Sequence, residues 1–204
     1  MTDLTPAAVA AAVLSILFVL LTAAVWEDSR RRRIPNHLVL AGIGVGLGCN
    51  ALLPQGFGFA SVLPGALGFW SALAGAGVGL ALLAPLYLLR ALGAGDVKLM
   101  AMVGAFLGPH MMVGVALATF VLGGILALAQ ALRRRSLPLL AANLHAMLMS
   151  CVFKLALRQL PVPVRMPRSA GRMPYALAIA AGTLACVAMR LAGLDAAWMP
   201  GVTA

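Results

Sequence analysis

The 204-residue chain is strongly apolar: 63% of its residues are hydrophobic and only 10% are charged, with a mean hydropathy of +1.02. A soluble domain carries roughly 25% charged residues, so too little polar surface remains here to coat a water-soluble globule. At about 20 residues per membrane crossing, the length accommodates roughly six to eight spans. We predict an all-α integral membrane protein forming one domain over residues 1–204, without a separate soluble domain.

The net charge is +10, from fifteen Lys and Arg against five Asp and Glu. In a membrane protein, basic residues gather in cytoplasmic loops and set the orientation. No basic stretch is long or aromatic-interleaved enough to form a nucleic-acid platform, so we expect no nucleic-acid partner. The three cysteines stand singly, without a C-x-x-C pair, and the histidines are scattered. We therefore expect neither a metal nor another cofactor.

The first predicted span covers residues 7–26. Asp3 precedes it and Arg30 to Arg33 follow it, which places the N-terminus outside and the arginines in the cytoplasm. The absence of Lys and Arg before this span argues against a cleaved signal peptide.

Further spans follow from the uncharged stretches that the remaining basic residues separate. Turn residues Leu53-Pro54-Gln55-Gly56 divide the stretch 34–89, and Gly108-Pro109 marks a hairpin tip in the next one. The predicted spans are 37–53, 64–89, 96–108, 109–132 and 174–194, which with the first make six.

The stretch 137–157 is interrupted by Asn143, His145 and Ser150, and we predict an interfacial or re-entrant helix on the cytoplasmic side. With this topology, both termini lie outside and fourteen of the fifteen basic residues lie in the cytoplasm. Arg190 is the exception.

Glycines recur at helix-packing spacing in two of the predicted spans. They are Gly42, Gly44, Gly46, Gly48, Gly75 and Gly79. Small residues let helix backbones approach closely within a membrane. We expect them to pack the bundle internally, with dimerisation as the alternative.

Three of the five acidic residues, Glu27, Asp28 and Asp96, fall at cytoplasmic ends of predicted spans. Carboxylates at a membrane edge are costly enough to suggest a function. The structural alternative is that Glu27 and Asp28 merely flank the arginines and that Asp96 caps a helix. The predicted topology puts Asp28 and Asp96 on one side at similar depth, where they could meet.

The residues around Asp96 favour a site. In Gly93-Ala-Gly95-Asp96-Val-Lys98, the glycines permit backbone conformations and close approach that a side chain would forbid. Two carboxyl groups in contact do not both ionise cheaply and so share a proton. One then accepts a proton from water while the other polarises a carbonyl, which is the chemistry of aspartic proteases.

These motifs resemble the signatures of a known family. Asp28-Ser-Arg-Arg-Arg-Arg-Ile-Pro35-Asn36 and Gly93-Ala-Gly-Asp96-Val-Lys98 are similar to the two motifs of type IV prepilin peptidases, membrane aspartic proteases of the G-x-G-D class. Met173-Pro174-Tyr175-Ala176-Leu177-Ala178 resembles a third family segment.

The resemblance implies a role for each matching position. Asp28 and Asp96 would form the catalytic dyad, Gly93 and Gly95 would shape the loop, and Lys98 would orient the substrate. Pro35 and Asn36 would begin the second span, with Pro35 suited to the first turn of a helix. Glu27 matches no motif position and is interpreted as a bystander.

The implied substrate is a prepilin, with a short basic leader ending in Gly and a hydrophobic membrane helix, cut at the cytoplasmic face of the bacterial inner membrane. Long family members carry a domain with paired C-x-x-C motifs that is associated with N-methylation. Because this chain has no such motifs, it resembles the short branch serving Flp-type, tight-adherence pili, and we expect peptidase without methyltransferase activity. Membrane lipids and the pilus-assembly machinery are further expected partners.

Two other functions are alternatives. A proton-coupled transporter would use the carboxylates for protons, but the spans lack the polar path and internal repeat expected of one. A non-catalytic subunit of a pilus or secretion machine would tolerate the loss of either aspartate.

Overall fold

The structure, a computed structural model, describes residues 6–53, 68–88, 92–133, 135, 137–138, 141–142, 145–146, 149 and 175–192. Across these ranges it contains α-helices and no strands. The helices are α1 (Pro6–Arg31), α2 (Asn36–Leu52), α3 (Phe69–Leu88), α4 (Ala94–Arg133) and α5 (Tyr175–Leu191). Helix α4 contacts the other four and forms the centre of the bundle.

Helix α4 is interrupted at Gly108, whose φ of 74° and ψ of 173° are not helical. Only glycine adopts this region readily, and the following Pro109 lacks a backbone N–H. A Cβ on Gly79 of α3 would lie 2.5 Å from the Met100 oxygen and 3.2 Å from the Met112 Cε, so both methionines lie beside Gly79. The chain must therefore reverse between them. In a straight helix Met100 and Met112 would be about 18 Å apart. Gly108 thus divides α4 into a short arm (94–107) and a long arm (109–133), as the Gly-Pro pair predicted.

The short arm occupies the core of the bundle. Every residue from Leu99 to Gly108 is buried, with Phe106, Met100 and Met102 among the largest fully buried side chains. A helix buried on all sides is typical of a core element. At about 1.5 Å per residue, this arm is only about 20 Å long, so it is shorter than the roughly 30 Å hydrocarbon core.

Asn50 of α2 stabilises the tip of this hairpin. Its side-chain amide is 1% exposed and donates to the Ala105 oxygen at 2.9 Å and to the Gly46 oxygen at 3.1 Å. The Ala105 carbonyl would ordinarily accept from residue 109, but Pro109 has no N–H to donate. Asn50 therefore replaces the hydrogen bond that the proline removes.

Glycines allow α3 to lie directly against the short arm. A Cβ on Gly75 would collide with the Gly104 oxygen and lie 2.7 Å from the Gly108 Cα. Gly42 and Gly46 of α2 face Met102 and Phe106 in the same way. The predicted internal packing is thus correct for these glycines and for Gly79.

Gly44 and Gly48 differ, because nothing described lies within 4 Å of a Cβ on either. They alternate with Gly42 and Gly46 along α2 and lie on the outer side of the helix. Glycine spacing alone did not distinguish the two sets.

Helix α5 packs antiparallel against the long arm of α4. Gly182 lies against Thr119, where a Cβ would be 2.7 Å from the Thr119 nitrogen, and Gly123 lies against the Tyr175 ring. Further along, Gly114 faces Cys186. The start of α5 therefore lies beside Gly123, on the side of the bundle away from the hairpin tip.

Three described helices, α1, α3 and α4, are long and apolar enough to cross a membrane. Many large apolar side chains point outward, and exposed aromatic residues mark both ends of α3, with Trp70 at one end and Tyr87 at the other. Aromatic rings favour membrane interfaces, and about 25 Å of helix separates these two.

The all-helical membrane protein predicted from composition is confirmed. The count of six spans stays a prediction, because α2 and α5 each have 17 residues and α4 is one helix interrupted at Gly108. Most of 137–157 lies outside the described residues, so the interfacial helix there also stays a prediction.

Candidate functional site

Four helix ends meet on the side of the bundle opposite the hairpin tip. They are the C-terminal turn of α1 and the first turns of α2, α4 and α5. The alternating direction of successive helices brings these ends together, since α1 runs toward this side and the short tight connection 32–35 leads straight into α2. Residues from all four ends form the candidate site.

Asp28 lies in the last turn of α1 and is half-buried. Its Oδ2 accepts a hydrogen bond of 3.4 Å from the backbone amide of Ala176, the second residue of α5. The first amides of a helix have no partner within it, and the positive end of the helix dipole favours a carboxylate. Helix α5 thus presents its N-terminus to Asp28 across 148 residues of sequence.

Asp96 is the third residue of α4 and is also half-buried. Its Oδ2 accepts from the Gly93 amide at 3.1 Å, while its own amide donates to the Gly93 oxygen at 3.2 Å. The side-chain bond is the acidic half of a capping box. The helix-capping role that the sequence left open is therefore present.

Asp96 caps α4 and also lies near Asp28. The two carboxyl groups lie close enough for their charges to interact, as do Asp96 and the Tyr175 phenol. The structure thus brings together the two aspartates that the sequence paired, and we call them the carboxyl pair.

Gly93 and Gly95 act by close approach. A Cβ on Gly95 would lie 3.3 Å from the Ile34 Cβ, and a Cβ on Gly93 would lie 3.3 Å from the Asp96 Oδ2. Neither glycine has a positive φ, so the special backbone conformation expected of them is not used. The small size of Gly95 instead lets Ile34 of the 32–35 connection lie against the start of α4, and that of Gly93 leaves room for the Asp96 carboxylate.

Lys98 and Asn36 join the first turns of α4 and α2, with the Lys98 Nζ donating to the Asn36 Oδ1 at 3.0 Å. Pro35 precedes α2 as its N-cap residue, with φ −65° and ψ 132°. It therefore lies one position before the first turn that the sequence predicted. The bond between Lys98 and Asn36 therefore holds the two helix starts together.

Glu27 is not part of the carboxyl pair. Its Oε2 lies 3.1 Å from the Arg31 Nε one helical turn later. The Arg30 guanidinium lies 4.1 Å from the centroid of the exposed Trp26 ring. A tryptophan of this kind is typical of a membrane interface. The carboxyl pair therefore lies at the level of Trp26 and Arg30 along α1.

Tyr175 and Ala176 complete the site, and the sequence assigned neither a role. Their signal was the Met-Pro-Tyr segment, which resembled a family motif without indicating a contact. Ala176 is fully buried, and its amide, which no side-chain pattern reports, makes the bond to Asp28.

The arrangement suits acid–base chemistry. Two carboxyl groups whose charges repel do not both ionise readily, so one can accept a proton while the other stays protonated and donates. Within the described ranges, no three His, Cys, Asp or Glu side chains lie close enough to hold a metal ion.

Comparison with known proteins adds one finding. A family model described as the type IV leader peptidase family matches residues 15–128, which is more than half of the chain and includes both aspartates. No curated protein and no solved structure matches the chain.

Proposed function

The chain belongs to the type IV leader peptidase family, and on that premise we propose that it is a prepilin leader peptidase. It would be an intramembrane-type aspartic endopeptidase in which Asp28 and Asp96 activate water. The observation that carries this proposal is that both carboxyl groups lie at one end of a largely apolar bundle, near enough for their charges to interact. The start of a third helix, α5, is hydrogen-bonded to one of them.

The reaction follows from a shared proton. The ionised carboxylate removes a proton from water as the water oxygen attacks the scissile carbonyl carbon, and the protonated carboxyl gives its proton to the carbonyl oxygen. The tetrahedral intermediate then collapses as the C–N bond breaks. The carboxyl that took a proton from water passes it to the leaving nitrogen, while a hydroxyl of the intermediate returns its proton to the other carboxylate. The products are a free amine and a carboxylic acid, and the pair again holds one proton.

The proposed substrate is a type IV or Flp prepilin, cut after Gly at the junction of its basic leader and its membrane helix. The exposed Trp26 and Arg30 next to Asp28 support an interfacial level for the carboxyl pair, where a peptide emerging from the bilayer would arrive. We place this end at the cytoplasmic face of the bacterial inner membrane, because Arg30 to Arg33 lie beside it. Membrane lipids and a pilus-assembly machine complete the proposed partners.

Lys98, held by Asn36, is proposed to orient the substrate backbone beside the pair. We further propose that the new N-terminus is left unmethylated, because the paired C-x-x-C motifs associated with methylation in the long family members do not occur in this sequence.

The test is cleavage in membranes. A Flp-type prepilin is co-expressed with wild type, Asp28→Asn or Asp96→Asn, and the N-terminus of the pilin is read by mass spectrometry. Each substitution keeps the size of the side chain but removes an ionisable carboxyl, so we expect processing to fall by at least 10³-fold, the order seen when a catalytic group is lost. The mass also reports methylation.

Glu27→Gln is the matched control. It neutralises Glu27, which is adjacent to Asp28 in the sequence and pairs with Arg31. We expect this variant to process prepilin within about two-fold of wild type. Cleavage that persists in either aspartate variant would refute the dyad. An intact prepilin beside a correctly inserted wild type would favour the assembly-subunit function instead.

A further inference from the structure

Tyr175, the first residue of α5, lies between the carboxyl pair and the long arm of α4. Its ring crosses Gly123, where a Cβ would lie 3.1 Å from the Tyr175 Cε2 and 3.4 Å from its hydroxyl oxygen. The same side chain is close enough to Asp96 for an electrostatic interaction. One half-buried ring thus spans from the long arm to the site.

The residue after it makes the contact that matters to Asp28. Ala176 is fully buried, and its amide donates to the Asp28 Oδ2 at 3.4 Å. A backbone amide cannot be adjusted by changing a rotamer, so the length of this bond depends on where the first turn of α5 lies.

Contacts along the long arm of α4 set that position. Gly182 lies against Thr119, where a Cβ would be 2.7 Å from the Thr119 nitrogen and 2.9 Å from its Cα, and Gly114 faces Cys186 further along. Gly123 lies against both Ala178 and Tyr175. Tyr175 is the first residue of α5 and precedes Ala176, so its ring is the contact that bears most directly on where the first turn lies.

We propose that Tyr175 is a positioning residue whose ring, seated on Gly123, places the first turn of α5 so that the Ala176 amide holds Asp28 beside Asp96. This inference rests on the proposed function and deepens it. Tyr175 lies beyond the residues 15–128 that match the family model, so the site includes a part of the chain outside that match.

The ring contact makes a kinetic prediction. Tyr175→Phe keeps the ring on Gly123, whereas Tyr175→Ala removes it. A displacement of about 1 Å costs roughly 100-fold in rate, so we expect kcat to fall about 30- to 100-fold in Tyr175→Ala with KM within about two-fold. Tyr175→Phe should retain cleavage within about three-fold of wild type. Equal losses in both variants would show that the hydroxyl acts, and would overturn positioning by the ring.

A double-mutant cycle tests the contact between the Tyr175 ring and Gly123. Gly123→Ala puts a methyl group under the ring and should lower kcat about ten-fold. Gly124→Ala is the matched control, because nothing described lies within 4 Å of a Cβ there. In the Tyr175→Ala background the added methyl meets no ring, so Gly123→Ala should cost less than about two-fold further. Full additivity of the two losses would contradict the proposal, since independent sites add.

A third measurement does not depend on activity. Cysteines replace Asp28 and Ala176 in a background where Cys49, Cys151 and Cys186 are alanine, and oxidative cross-linking is measured in membranes. We expect efficient cross-linking with Tyr175 or Phe at position 175 and with Gly124→Ala. The yield should fall at least five-fold in Tyr175→Ala and in Gly123→Ala.

The two proposals fail differently. If wild type cleaves no prepilin while the cross-linking pattern holds, the peptidase function is wrong and the positioning contact stands. If cross-linking is the same in all variants, Tyr175 does not position α5, whether or not the protein is a peptidase.

Discussion

At the scale of single residues, backbone groups that lack a partner within their own helix explain the most informative contacts. The Ala176 amide is such a group at the start of α5, and it donates to Asp28. The Ala105 carbonyl is left without a donor by Pro109 and accepts from Asn50. In the apolar interior each such group needs a partner. The sequence shows Asn50 as a polar side chain in an apolar helix, but the Ala105 carbonyl to which it donates lies 55 residues further along the chain.

Replacing Asn50 with leucine should destabilise the hairpin tip. Leucine has the same number of side-chain heavy atoms, branched at the same carbon, but the Ala105 carbonyl loses its donor, so we expect a loss of about 1 to 2 kcal/mol in the free energy of unfolding. Thermal unfolding in detergent measures it. Thr22→Val is the control, because its exposed hydroxyl bonds only to the Phe18 oxygen in its own helix at 2.7 Å. Equal stability of the two variants would show that Asn50 is not needed at the tip.

At the scale of helices, glycines decide how close two backbones come. Gly75 and Gly104 place α3 and the short arm of α4 in backbone contact, which buries the arm that carries Asp96 at its start. Within a membrane, helix association depends on such close packing because lipid is as apolar as the side chains.

Replacing either of two glycines of α3 with alanine should therefore have opposite effects on stability. Gly75→Ala puts a Cβ into the Gly104 oxygen and 2.7 Å from the Gly108 Cα, and neither backbone atom can move aside. We expect a destabilisation of about 2 kcal/mol or more, in the range for overpacking. Gly77→Ala meets nothing described within 4 Å and should be neutral or stabilise the helix by up to about 1 kcal/mol. Equal unfolding midpoints in detergent would contradict this packing.

At the scale of the whole molecule, helix direction determines where the chemistry lies. The reversal at Gly108 returns the chain to the Asp96 side, so Gly123 and the start of α5 reach the carboxyl pair. In a straight helix Gly123 would be about 40 Å from Asp96. The six-span topology with a cytoplasmic 137–157 stays a prediction for the residues that the structure does not describe.

Labelling of an introduced cysteine tests that topology. In a variant without native cysteines, Arg165→Cys should resist a membrane-impermeant maleimide applied from outside, because we place this segment in the cytoplasm. Leu53→Cys, at the end of α2, should label as the external control. Labelling of both positions would mean that 137–157 crosses the membrane and that the basic residues after it lie outside.

The sequence by itself determined the class of the protein and where its helices lie. Composition required a membrane bundle, charges separated the spans, and Gly108-Pro109 marked the reversal, because each depends on local chemistry. It also predicted that Asp28 and Asp96 could meet, because the predicted topology put both on one side at similar depth, and the resemblance to type IV prepilin peptidases implied their pairing.

Only the tertiary structure decided how the carboxyl pair is held. Gly42 and Gly44 look equivalent in sequence, yet one lies against Met102 and the other faces open space. The contacts of Ala176 with Asp28, Tyr175 with Gly123 and Asn50 with Ala105 join residues far apart in the chain. Such contacts depend on the rotation and depth of packed helices, which local sequence patterns do not specify.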